Sequence, residues 1–365
     1  MSRYKYPEFS DGFSEKSDFN LYKLITQEVY KNLLEMHHNN DNEYKTNGLR
    51  FYYRYNDTMN ATARVRSGFD EIVINTGTIT QMRSWIFSAF STKGVLRYCG
   101  DSSKENNVES NASFDYENKD IIQSEPPIDE SRRKFAEYTA LFGIRFICMH
   151  ELGHLLNGHA ALFSELYGFK EIEMRQLAKD FKLNPNNGYA LDRRTIEMDA
   201  DAFAVTQDIV NLDGIIKNNV AEILDLLPNP YTVYHLWAFA VQSFFLLLEK
   251  SEFSEYNDYM WYLPNVGRQR MNIGAAMTTV DMLMDARIMD VEPLKKRNIL
   301  LNIEAGIREA QLFFNMNKNT EFDYLEGMDD DVEYNKYFDE VLEHWDTSMK
   351  QRLSKYARSN LSSSK

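Results

Sequence analysis

The chain has 365 residues, 43% of them hydrophobic, with 23 Phe and 22 Tyr. That content supports a sizeable core in one large domain or two and excludes wholesale disorder. Against 55 acidic residues stand 41 basic ones, and the net charge of −14 opposes unspecific binding to nucleic acid or anionic lipid while favouring solubility.

The opening residues contain no apolar stretch of the signal-peptide kind. Over 18–38, Leu21, Leu24, Ile25, Val29, Leu33 and Met36 recur near helical spacing and predict an amphipathic helix, with His37 and His38 at its surface end. Residues 49–55, 60–66 and 71–75 are rich in β-branched and aromatic types and are punctuated by Asn-Asp and Ser-Gly, which predicts a three-stranded meander. A helix over 78–90 follows. From 100 to 130 the composition shifts to Ser, Asn, Asp, Glu and Pro, as expected of an exposed, mobile insertion.

Residues 135–149 are apolar on almost every face apart from Glu137 and Arg145, which predicts a central helix. It runs into His150-Glu-Leu-Gly-His154. Two histidines four apart project from one helical face and can share one zinc ion, and Glu151 beside them can reach a water on that metal as general base. Asn157-Gly158 is a helix stop, so His159 points in a new direction. A catalytic zinc needs a third protein ligand. The metzincin spacing would put a histidine at 160, where Ala160 stands. A better candidate is Glu197, with Asp201 four residues on placed to orient a ligating imidazole; His159 and Asp201 are the alternatives as third ligand.

Between the two motifs, residues 162–181 are expected as a helix and 184–188 as a loop near the cleft. Helices are predicted at 233–249, 270–287, 291–316 and 335–357, and the seven acidic residues of 321–333 read as a solvated linker. The longest apolar stretch, 236–248, is too short for a membrane span and is interrupted by Gln242 and Ser243. Cys99 and Cys148 are the only cysteines, and so few suit a reducing cytoplasm. The expected division is a helical segment over 1–47, a metal-binding domain over 48–290 and a helical extension over 291–365.

His-Glu-x-x-His with a histidine five residues on, followed by Glu197-x-x-Ala200-Asp201, resembles the gluzincin metallopeptidases. The likeness is to the prenyl-protein and Oma-type enzymes, the small ImmA-type repressor proteases and, given the lack of a membrane span, above all the Lit-type phage-exclusion peptidases. Asn60-Ala61-Thr62-Ala63 is similar to the strand that precedes the metal helix in these families, where it is an antiparallel edge strand lining the substrate cleft. The resemblance covers roughly residues 48–290. It implies an α+β, mostly helical zincin-like fold with a small antiparallel sheet, one zinc ion per chain, and endopeptidase activity on a protein or peptide, in a phage-defence setting. Other readings are a protease that removes a repressor or antitoxin, and a zinc-stabilised interaction protein without activity. Leu263 stands where these families often have a histidine near the substrate carbonyl, which leaves His235, Tyr262, Arg268 and Arg270 as candidates for that role.

Overall fold

The structure, a computed structural model, describes residues 7–13, 17–36, 46–174, 188–219, 222–248, 265–286, 293–318 and 332–361. His37, His38, the 184–187 loop, Tyr262 and most of the acidic strip lie outside these residues. The fold is α+β and mostly helical, as expected. In chain order the first elements are β1 (Glu8–Phe9), α1 (Asp18–Met36), β2 (Leu49–Arg54), β3 (Ala61–Arg66), β4 (Phe69–Asn75) and α2 (Thr76–Phe90).

The three strands after α1 do not form the predicted meander, nor is the sheet purely antiparallel. β3 and β4 make a hairpin through Ser67 and Gly68, both at positive φ, but β2 runs parallel to β4 on its other side. β4 takes the middle because it is buried from Asp70 to Asn75, which suits a strand paired on both edges. The link from β2 to β3 therefore crosses the end of β4, where Gly77 N donates to Asn56 O at 2.8 Å. With β1 on one side and β7 (Ile172–Glu173) on the other, the order is β1-β2-β4-β3-β7.

The stretch expected as a mobile insertion is ordered. It forms a hairpin, β5 (Asn111–Asp115) and β6 (Asp120–Ser124), docked on α2. Ser84 and Ser88 of α2 accept from the backbone N–H groups of Ala112 and Ser110, each at 2.8 Å. Before the hairpin, Arg132 gathers the loop by donating to the carbonyls of Phe90, Val95, Leu96 and Cys99 from a fully buried position. Serine and aspartate read as loop residues in sequence; here they serve as acceptors that fix backbone.

The central helix is α3 (Glu130–Leu156), capped by Asp129, whose side chain accepts from Arg132 N at 3.2 Å. It packs against α1, α2 and the sheet, and against α5 (Tyr189–Asn218) and α7 (Thr232–Leu248). A buried Arg145–Asp208 ion pair, to which Trp237 Nε1 adds a hydrogen bond of 2.9 Å, ties α3, α5 and α7 together. Between them, α4 (His159–Tyr167) ends at Gly168 in the left-handed conformation, well short of residue 181. A short α6 (Glu222–Leu226) follows α5.

The remaining helices are α8 (Asn265–Asp285), α9 (Pro293–Lys318), α10 (Val332–His344) and α11 (Lys350–Leu353). α9 lies flat against α7 at Gly306, where a Cβ would come within 2.3 Å of His235 O. The single helix expected over 335–357 is broken by a π-helical turn, Trp345–Met349, which turns both Trp345 and Met349 into the core. No helix among the described residues is long and apolar enough to cross a membrane.

Candidate metal centre

His150 and His154 occupy the last two turns of α3, and Glu197 comes from the third turn of α5, which lies alongside. Ala200 and Ala204, both fully buried, and Gly153, whose Cβ position lies 3.2 Å from Phe203, let the two helices approach closely. His150 Nε2 lies 3.1 Å from His154 Nε2, and Glu197 sets one carboxylate oxygen 3.4 Å from each ring nitrogen. Ligand atoms held about 2.0–2.2 Å from a tetrahedral ion sit about 3.3–3.6 Å from one another, so the three groups fit one metal ion with little adjustment. They form a buried cluster that could hold one.

Electrostatics point the same way. Burial works against charge on His150, yet Asp201 and Glu197 outweigh it and push the imidazole up to about 9. A place that draws a proton onto a buried imidazole stabilises positive charge, which is what a divalent cation supplies. Burial instead holds His154 down at about 3, which keeps its ring neutral and a lone pair available. Glu197 would be raised by burial, but Arg193, His154 and His150 hold it well below the ordinary carboxylate range. It is therefore an anion, as a carboxylate ligand must be.

Each histidine is held from behind. His150 Nδ1 lies 2.9 Å from Asp201 Oδ1, and Arg268 grips Asp201 through two contacts of 2.7 Å. His154 Nδ1 lies 3.0 Å from His159 Nδ1, and His159 Nε2 lies 3.1 Å from Asp199. His159 thus stands behind His154 with no ring nitrogen facing the cluster, and Asp199 is buried with it.

Glu151 is fully buried, and neither of its carboxylate oxygens has a hydrogen-bond partner among the described residues. Burial first, and Glu197 and Glu173 after it, push the carboxyl up to about 8 against the pull of His150 and Arg193.

Of the described residues considered for a carbonyl-polarising role, Arg268 is the one brought to the cluster, 3.7 Å from Glu197, and there it serves Asp201. His235 pairs with Glu309 at 2.8 Å and Arg270 lies over the Phe338 ring, both away from the cluster. Arg193 was not singled out in the sequence. It lies 2.8 Å from Glu197 and donates to Glu173 O at 2.7 Å, and its i, i+4 spacing to Glu197 was the signal that could have found it.

The strand expected to receive substrate is already paired on both sides. Thr62 and Ala63 face Glu173 and Ile172 of β7, and Met174 N donates to Ala61 O at 2.9 Å. Asn60 accepts from Ala61 N at 3.0 Å and donates to Glu173 at 3.4 Å. β4, paired with β2 and β3, is central and closed as well. Among the described residues the outer strand on this side of the sheet is β7. Comparison of the chain with protein-family models, with curated proteins and with solved structures returned no match.

Proposed function

We propose that the chain is a zinc-dependent endopeptidase in which His150, His154 and Glu197 hold the metal and Glu151 is the general base. The observation that carries this reading is the buried, unpartnered Glu151 carboxyl beside three convergent ligands. An unpaired carboxyl in a dry site costs several kcal/mol, on the order of 2–7 by transfer measurements, and a purely structural metal site has no use for one. A zinc ion held there supplies Lewis acidity that polarises a carbonyl and acidifies water. With the metal bound, Glu151 would remove a proton from the attacking water and deliver it to the departing amine. Asp201 and His159 fix the ring orientations of His150 and His154, while Arg193 and Arg268 offset the carboxylate charge.

An extended peptide would pair with the outer edge of β7 in place of the occupied β3 edge, through main-chain hydrogen bonds. The likeness to Lit-type enzymes adds a protein substrate in phage defence, and the two buried, unpaired cysteines agree with a reducing cytoplasm. One observation favours the reading as a zinc-stabilised interaction protein: all four groups of the site are at most 2% exposed, so substrate must open a path to them.

Glu151→Gln separates the two. The variant should fold and hold zinc like wild type while losing nearly all cleavage, read as the disappearance of new protein termini in a proteomic comparison of expressing cells. A folded, zinc-loaded variant with an undiminished cellular effect would sink the peptidase reading.

A further inference from the structure

The last four carbonyls of a helix have no partner within it. At the end of α3 two of them, those of Leu155 and Leu156, are met from about 200 residues downstream in the chain. Arg358 N donates to Leu156 O at 2.7 Å and Ser359 N to the same oxygen at 3.2 Å, while the Arg358 guanidinium reaches Leu155 O at 2.8 Å. Gly158 makes this approach possible. It sits at φ +84°, and a Cβ there would meet Tyr356 at 2.6 Å and the Ala357 nitrogen at 2.8 Å.

From this cap a line of polar contacts runs to the metal centre. Ser359 Oγ donates to Asn157 Oδ1. The Asn157 amide donates to Asp199 Oδ2 at 2.5 Å, and that oxygen lies 3.1 Å from His159 Nε2. The other nitrogen of His159 is 3.0 Å from His154 Nδ1. Asn157, Asp199, His159 and His154 are all buried, so water does not compete for these contacts. An imidazole ligand is oriented by what its second nitrogen meets, and here that partner is in turn fixed by the 358–359 segment.

We infer that Arg358 and Ser359 are positioning residues of the metal centre. They hold the end of α3 and, through Asn157, Asp199 and His159, set the orientation of His154 and hence how tightly zinc is held. The inference rests on the metal-centre reading above. Arg358 also pairs with the buried Asp70 at 2.5 Å, so its removal would strand a carboxylate elsewhere. Ser359 is the cleaner probe.

The test measures zinc affinity by competition with a chromogenic chelator, together with the visible spectrum of the cobalt(II)-loaded protein, which reports ligand geometry. The proteins are wild type, Ser359→Ala, Ser359→Thr, His159→Ala and the double variant His159→Ala with Ser359→Ala. A direct partner of a ligand typically contributes about 10–100-fold in affinity, so a residue further along the line should contribute less, about 3–10-fold for Ser359→Ala. Ser359→Thr should restore affinity and spectrum. In the His159→Ala background the serine change should cost nothing more, because the path is already cut. Wild-type affinity in Ser359→Ala, or the same loss with and without His159, would overturn the inference while leaving the metal centre intact. A wild-type protein that binds no zinc would overturn both.

Discussion

His150, Glu151 and His154 were legible in the sequence because their relation lies within one helix and depends only on 100° steps. Glu197 was legible for a weaker reason: its spacing to Asp201 put two carboxylates on one face, and only the facing helix gives them a purpose. Arg268 was beyond reach as Asp201's partner, since 67 residues separate them and nothing local encodes the pairing. Asp199 drew no role from the sequence, because nothing local to Met198 and Ala200 shows that His159 faces it. Two substitutions test these roles. Glu197→Ala should abolish stoichiometric zinc binding, because three protein ligands leave no redundancy. Asp201→Ala should keep the fold but cost about 10–100-fold in affinity, and it also releases Arg268 beside Glu197. Full zinc in the first variant, measured by elemental analysis, would return the third-ligand role to an open question.

Several helix positions followed from apolar periodicity, although the one expected over 162–181 ends at Tyr167, and the partners of the helices did not. The parallel pairing of β2 with β4 reflects which strand is buried on both edges, a property of the assembled sheet. The break at Trp345 was likewise hidden, because the helical pattern continues through it while the π turn shifts the buried face. What holds this last helical part in place is Asp192 at the start of α5. It accepts from Arg352 at 2.8 and 2.7 Å, faces His344 at 2.7 Å and takes the Tyr167 hydroxyl. Burial alone would raise its pKa, but His344, Arg352 and Tyr167 outweigh burial and hold it below the ordinary aspartate value. A depressed carboxylate stabilises the fold above its unfolded pKa, and that contribution is lost as pH falls through the folded one. Asp192→Asn should therefore cost about 1–2 kcal/mol at neutral pH, discounted because Arg352 is 31% exposed. In urea titrations the gap to wild type should close as pH drops below the ordinary aspartate range. A gap that persists there would show that shape, and not charge, holds the brace.

Across the whole molecule the cluster joins α3 to α5, which are also held by packing, the Arg145–Asp208 pair and the Asn157–Asp199 hydrogen bond. An ion that binds only the folded chain adds stability by mass action, about 4 kcal/mol at a thousandfold excess over its dissociation constant. Chelation should lower the melting temperature by several degrees and zinc should restore it. An identical melt with and without chelator would mean that the three ligands are held together without metal.

The cap on α3 also imposes an order on synthesis. A chain emerges from the ribosome amino end first and folds as it comes. His150, His154, Glu197 and Asp201 are all present when Arg358 and Ser359 have yet to be added, 157 residues after Asp201. The ligands can gather early, but the end of the helix that carries two of them stays unsealed until those late residues arrive. The metal centre therefore reaches its final form only once the 358–359 segment has been made and docked.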